Sequence, residues 1–106
     1  MKTIKELNKE LNKELYNVSL NNNLETVKYL VEKGADNLDS ALVFASMNNN
    51  LEMIKYLVEK GATNLNLALF FVSQYNNLEI ANFLKFVIAV RNNNIPIINN
   101  HTLLIF

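Results

Sequence analysis

The sequence predicts an all-α solenoid in which pairs of helices repeat along the chain. The segment LETVKYLVEKGA at 24–35 returns as LEMIKYLVEKGA at 51–62, a shift of twenty-seven residues. A fixed period of this length indicates stacked copies of one structural unit. Within each unit, apolar residues recur at three- and four-residue steps, which is the spacing of an amphipathic helix.

A third and more divergent copy, LEIANFLKF, begins at Leu78 and lacks the closing Gly-Ala pair. The register also extends upstream of the repeated segment, since Leu15, Leu42 and Leu69 are each twenty-seven residues apart. We therefore predict a single domain, 1–106, made of three units and an irregular C-terminal helix and tail: 7–33, 34–60, 61–87 and 88–106.

Composition narrows the function classes. Ten basic and ten acidic side chains leave no net charge, so we expect no nucleic-acid partner. The absence of cysteine excludes disulfides, thiol nucleophiles and cysteine-ligated metals. The sequence contains no run of about eighteen apolar residues, which is the length that a membrane-spanning helix needs. The N-terminus also lacks the apolar core of a signal peptide. We therefore expect a cytoplasmic protein without a membrane partner.

The first unit starts with one long helix, predicted over 2–20. Its apolar stripe consists of Ile4, Leu7, Leu11, Leu15 and Val18. Glu14 occupies the position at which the later units have Ala41 and Ala68. A charge is tolerable there because no earlier unit covers it, so we expect a capping unit at this end of the array.

Asparagine and glycine mark the turns. The triplet NNN at 21–23 recurs as NNN at 48–50 and as YNN at 75–77. Asparagine tolerates the left-handed conformation that ends a helix and is a good N-cap for the next helix, so each triplet can close one helix and open another. Gly34 and Gly61 follow the second helices, and we predict a positive φ at both.

The third unit departs from this plan because Ile88 stands where the second unit has Gly61. We therefore predict one longer helix, Leu78–Arg91, ending at the asparagine triplet 92–94. The tail, 95–106, is rich in isoleucine and leucine. We expect it to cover the final apolar face, since repeat arrays need a capping element there.

One set of apolar residues does not belong to the inward stripe of the first helices. If Leu38, Leu42 and Ala45 face the core, helical geometry places their neighbours on the opposite side. That side carries an aromatic and aliphatic set, called here the apolar row: Tyr16, Val43, Phe44, Met47, Phe70, Phe71 and Tyr75. The row is either additional core, packed against adjacent units, or an uncovered groove of the kind that marks a partner site. The sequence leaves both interpretations open.

No catalytic, cofactor-binding or metal site is predicted. His101 is the one histidine, and no cysteine or nearby carboxylate accompanies it. Glu25, Glu52 and Glu79 recur at the repeat period, which fits the positive ends of helix dipoles better than an acid–base pair. Both glycines belong to turns, so no phosphate-binding loop can be drawn. We therefore expect no enzyme, no metal and no cofactor.

The repeated segment resembles ankyrin repeats. The family pattern Leu-Glu-x-x-Lys-x-Leu-x-Glu-x-Gly-Ala-Asp is matched by LETVKYLVEKGAD at 24–36 and, except at the last position, by LEMIKYLVEKGAT at 51–63. An ankyrin unit has about thirty-three residues, whereas these units have twenty-seven, so the missing residues would fall in the β-hairpin finger. Short, asparagine-rich units of this kind are similar to those of giant viruses, protists and some intracellular bacteria.

The resemblance implies a module that binds another protein through its concave side, and a host protein if the source is a virus or a parasite. In that case the expected location is the cytoplasm of the host cell. The alternative function is structural: a unit that associates with itself as a homo-oligomer, through the groove or through the open end of the third unit. An enzyme is the third and least favoured interpretation.

Overall fold

The computed structural model describes residues 1–93, which form helices connected by short turns. The helices are α1 (Ile4–Leu20), α2 (Leu24–Glu32), α3 (Leu38–Met47), α4 (Leu51–Glu59), α5 (Leu65–Ser73) and α6 (Leu78–Arg91). Residues 94–106, which include the predicted capping tail and His101, lie outside the described residues.

Each unit is a pair of helices, and the pairs stack side by side. Helix α1 packs on α2, α3 on α4, and α5 on α6, while α3 also packs on α1 and α5. The helices α1, α3 and α5 therefore form a first layer, with α2, α4 and α6 behind them. No strand interrupts this order between residues 1 and 93. The fold is the predicted all-α helix-pair solenoid.

The core follows the repeat register. The leucines on the inward stripes of the middle unit, Leu42 and Leu57, are fully buried, as is Leu84 in the third unit. Each such side chain contributes roughly 1.5–3 kcal/mol by leaving water. Small residues such as Ala45 are also fully buried.

The turns have the predicted backbone geometry. Asn22, Asn49 and Asn76 adopt positive φ angles of 60°, 56° and 58°. The asparagine after each of them is an N-cap whose side-chain oxygen accepts a hydrogen bond from the backbone N–H three residues later. The prediction for the glycines is also confirmed, with φ of 116° at Gly34 and 110° at Gly61.

Polar side chains fix the spacing between successive units. Asn12 on α1 reaches the turn after α2, where its Oδ1 accepts hydrogen bonds from the backbone N–H groups of Asp36 (2.9 Å) and Asn37 (3.0 Å). Its Nδ2 donates to the Asp36 carboxylate at 2.9 Å. The backbone N–H groups of Asp36 and Asn37 lie between two helices, and the Asn12 side chain gives them an acceptor.

Asp39 repeats this contact one unit later. Its carboxylate accepts hydrogen bonds from the Thr63 backbone N–H (2.6 Å), the Thr63 hydroxyl (2.8 Å) and the Asn64 backbone N–H (3.1 Å). Burial raises the pKa of Asp39, but these hydrogen bonds and the positive charge of Arg91 outweigh it, so the pKa lies below its ordinary value of 3.8.

The third unit ends as predicted, because α6 continues to Arg91 without a glycine turn. The Arg91 guanidinium donates to the carbonyl oxygens of Ala62 (2.5 Å) and Val58 (3.0 Å). Val58 lies at the end of α4, where its carbonyl also accepts a hydrogen bond from the Gly61 backbone N–H, and Ala62 lies in the turn that follows. Arg91 therefore holds the last helix against the preceding turn.

Candidate partner-binding surface

The apolar row lies mostly on the surface of the first layer. Four of its residues are exposed: Tyr16 (49%), Met47 (43%), Phe70 (58%) and Tyr75 (49%). The other three, Val43, Phe44 and Phe71, are half-buried. Within the described part of the chain, none of the seven belongs to the core or to the half-buried side chains that pack against it.

The same helices bury most of the side chains on their opposite faces. On α3, Leu42, Ala45 and Ser46 are inaccessible to solvent, and on α5 the same holds for Ala68 and Val72. Each helix of the first layer therefore has one face in the core and one open face. This division explains why the first helices are apolar nearly all round, although only part of each helix is buried.

Aromatic contacts join the row across the units. The rings of Tyr16 and Phe44, from the first and second units, meet edge to face with centroids 5.1 Å apart. Phe70 and Phe71 form a second such pair at 5.6 Å. Edge-to-face pairs of this kind contribute about 0.5–1.5 kcal/mol beyond the area they bury.

Tyr75 links the third unit to the second. Its hydroxyl donates a hydrogen bond to the backbone carbonyl of Met47, the last residue of α3. The hydroxyl is thereby engaged, while the ring remains about half exposed. The row is consequently a connected surface that crosses all three units.

No charged side chain belongs to the segments that carry the row. Residues 15–23, 40–50 and 64–78 contain neither Lys, Arg, Asp nor Glu. The polar residues in these segments are neutral, such as Asn17, Asn48 and Gln74, all of them exposed. The surface can therefore offer apolar contact and amide hydrogen bonds, but no salt bridge of its own.

Two further exposed apolar residues lie on the first-layer helices but are not part of the predicted row. Leu20 is 47% exposed at the end of α1, and Leu67 is 38% exposed on α5. Leu20 is in register with Met47, so the repeat places it on the same face. Leu67 corresponds to Ser40, and the repeat contains no signal for it.

The second layer presents a different surface, on which lysines accompany aromatic rings. The amino groups of Lys28 and Lys60 lie 5.6 Å and 5.7 Å from the centre of the Tyr56 ring. Burial raises the pKa of Tyr56, and the negative charges of Glu32 and Glu59 add to the effect. These contacts combine cation–π attraction with a charged, hydrated surface.

Acidic residues are placed where the helix dipoles predict. Glu25, Glu52 and Glu79 lie in the first turns of α2, α4 and α6. A carboxylate at this end of a helix is attracted by the partial positive charge of the free N–H groups. No group of three or more metal-ligating side chains is found within residues 1–93.

A shallow cleft lies between the turns of successive units. Its lining includes Asp36, Asp39, Gly61 and Thr63. Both carboxylates are already hydrogen-bonded, Asp36 to the Asn12 side chain and Asp39 to the next turn. The cleft therefore acts as a junction between units.

Stacked helix pairs with one core and one open face define a helix-pair repeat protein. A family model described as ankyrin repeats, in three copies, matches residues 15–94, and the chain belongs to this family. Ankyrin repeats are in general modules for protein–protein interaction and not enzymes. No curated protein and no solved structure matches the chain. None of the helices in the described residues is long and apolar enough to cross a bilayer.

Proposed function

We propose that this protein binds a protein partner through the apolar row, with the row forming the concave side of the solenoid. The supporting observation is that four large apolar side chains of the row are exposed while the opposite faces of the same helices are buried. Contiguous exposed apolar surface of this kind is uncommon on a protein that acts alone and typical of a partner site.

The aromatic side chains would act as the anchors. Phe70 is the most exposed ring of the row, and Phe44 is half-buried in contact with Tyr16. Aromatic anchors at the centre of an interface commonly account for about 2 kcal/mol or more of binding free energy. Because the row carries no charge, the partner would meet it with apolar side chains, and affinity would change little with salt.

The test compares two aromatic residues of equal exposure in different layers. Phe70 on the row and Tyr29 on the second layer are both 58% exposed. We expect Phe70→Ala to weaken binding to a partner isolated with the wild-type protein by about 2 kcal/mol. We expect the matched control Tyr29→Ala to bind as the wild type does. Titration calorimetry measures both affinities.

Thermal melts of the same variants separate binding from folding. An exposed ring contributes little to the core, so Phe70→Ala should change the free energy of unfolding by less than about 1 kcal/mol. Equal loss of binding in Phe70→Ala and Tyr29→Ala would refute the row as the site. A large loss of stability in Phe70→Ala would instead show that the ring is structural.

Self-association through the same row is the second candidate function. The observation in its favour is that the exposed apolar surface continues along α5 from Phe70 to Leu67, near the end of the array. Sedimentation at several protein concentrations distinguishes the two functions. A mass that rises with concentration in the wild type, and not in Phe70→Lys, supports a homo-oligomer; a constant monomer mass supports an open site for another protein.

A further inference from the structure

Equivalent positions in the three units show which surface a following unit covers. Ser46 in the second unit is fully buried, whereas its equivalent in the third unit, Ser73, is exposed. Leu42 is likewise inaccessible, whereas Leu69 is only half-buried. The middle unit has a neighbour on its C-terminal side and the third unit has none within residues 1–93. The positions of Leu69 and Ser73 therefore mark an end face that a further element would cover.

On the last helix, apolar residues stand at two positions where the second unit has charged ones. Phe86 and Val87 on α6 stand where the second unit has Glu59 and Lys60. Glu59 and Lys60 are exposed, whereas Phe86 and Val87 are half-buried. Val87 packs against the buried core, and Phe86 is a large apolar side chain at a position that the second unit leaves exposed.

The chain leaves α6 through the same turn by which it leaves α1. Asn92 (φ −92°, ψ 4°) reproduces the helix-ending conformation of Asn21 (φ −90°, ψ 4°). The next residue, Asn93, has a φ of 57°, as Asn22 has 60°. After Asn22 the chain turns back and α2 packs against α1. If the following residues turned back as they do after Asn22, they would run along α6.

Positions counted from the turn support this direction. Phe86 precedes its C-cap asparagine by six residues, as Leu15 precedes Asn21. Leu15 is fully buried in the core of the first unit. A segment that returns from Asn93 as α2 returns from Asn22 would therefore run beside Phe86.

We propose that residues 94–106 cover the end of the third unit as an intramolecular cap, seated on the α6 surface around Phe86 and Val87. This segment follows directly from the turn at Asn93 and contributes thirteen residues. Its apolar residues are Ile95, Ile97, Ile98, Leu103, Leu104, Ile105 and Phe106. It carries no Lys, Arg, Asp or Glu, which suits an apolar face. The cap covers an apolar end that would otherwise be exposed. Repeat arrays need such capping elements in order to stay soluble.

Hydrogen exchange on the full 106-residue chain tests the cap. Amides of a seated cap exchange slowly, and amides of a segment in solvent exchange at the rate of an unfolded chain. We expect protection within 94–106 in the wild type, equal at all protein concentrations. The variant Phe86→Glu/Val87→Lys restores the residue types of the second unit and is compatible with the helix. It should reduce this protection by about tenfold or more, because it removes apolar contacts worth at least 1.4 kcal/mol.

A pair of single variants provides the matched control. Val90 in α6 and Leu20 in α1 are 43% and 47% exposed, and each lies in the last turn before an asparagine triplet. Val90→Lys should lower protection within 94–106, whereas Leu20→Lys should leave it unchanged. Three results would overturn the cap: no protection in the wild type, protection unaffected by both α6 variants, or protection that appears only at high concentration. The last of these would assign the face to a second copy of the chain.

Discussion

The two ends of the array expose different chemistry. At the N-terminal end, the exposed Glu14 stands where the second and third units bury Ala41 and Ala68. At the C-terminal end, Leu78 is 71% exposed, whereas its equivalent in the second unit, Leu51, is half-buried. The N-terminal end exposes a charged side chain, whereas the C-terminal end exposes an apolar one. Within residues 1–93, the first unit therefore departs from the repeat at an exposed position, whereas the third unit exposes a residue that the repeat retains.

The largest expected effect comes from moving that terminal charge into the middle of the array. Ala41 is 1% exposed on α3, at the position that Glu14 has in the first unit. Ala41→Glu gives it the residue of the N-terminal end and buries a carboxylate without a partner. We expect a loss of about 4 kcal/mol or more in the free energy of unfolding, or no folded protein at all. Urea denaturation followed by circular dichroism measures the change. A loss below 1 kcal/mol would show that the interface between the units is open to water.

Most of the fold could be predicted because several independent sequence features recur at the same period. The register of Leu15 and Leu42 identified the buried stripe, and Gly34 identified the turn at which a positive φ is required. The loss of glycine at Ile88 was sufficient to predict the longer α6. These features depend on local geometry, which the sequence encodes within a few residues.

The contacts between units were not predictable in the same way. Asn12 and Asp39 bind turns that lie twenty-four and twenty-five residues further along the chain. Their mutual spacing of twenty-seven residues was visible in the sequence, but their partners were not. The exposure of the row could not be predicted either. Helical phase places Phe44 opposite the stripe but does not indicate whether another element covers it. That question depends on tertiary packing.

The glycine turns provide the next test, because the third unit does without one. A Cβ added at Gly61 meets no atom within 4 Å, and one at Gly34 comes no closer than 3.7 Å to Leu11. Space is therefore sufficient at both, and the positive φ determines the cost. We expect Gly34→Ala and Gly61→Ala each to lose about 1 kcal/mol of stability.

Gly61→Asn is the matched control for these glycine variants. Asparagine already adopts a positive φ at Asn22 and Asn49 in this protein. Gly61→Asn should therefore retain more stability than Gly61→Ala in chemical denaturation. Equal losses for the two variants would indicate that the added side chain, and not the backbone, is responsible.

Asp39 distinguishes the middle of the array from its C-terminal end. Asp39 binds the turn of the next unit, whereas its equivalent in the third unit, Asn66, is exposed. Asp39→Ala leaves the Thr63 and Asn64 N–H groups without this acceptor, and we expect a loss of about 1 kcal/mol. Asn66→Ala should have little effect in the same denaturation experiment. Asp39→Asn should retain most of the stability, because Asn12 makes the equivalent contact with an amide oxygen.

The pH dependence of stability tests the same carboxylate. Since folding lowers the pKa of Asp39 below 3.8, ionised Asp39 stabilises the folded protein above that pH. This contribution is lost as the pH falls from 3.8 through the lowered pKa, because the proton then binds in both states. Asp39→Asn should therefore lose less stability than the wild type in this acid range. Identical acid dependence in the two proteins would contradict the assigned hydrogen bonds.

The smallest expected effect is at Glu14, the charged position at the N-terminal end. Glu14→Ala exchanges the same two residue types as Ala41→Glu, but on an exposed face of α1. Alanine is the better helix former and no buried partner is lost, so we expect a gain of only a few tenths of a kcal/mol. The same urea denaturation measures it beside Ala41→Glu. If Glu14→Ala instead lost more than about 1 kcal/mol, Glu14 would lie in a packed interface and not on an exposed face.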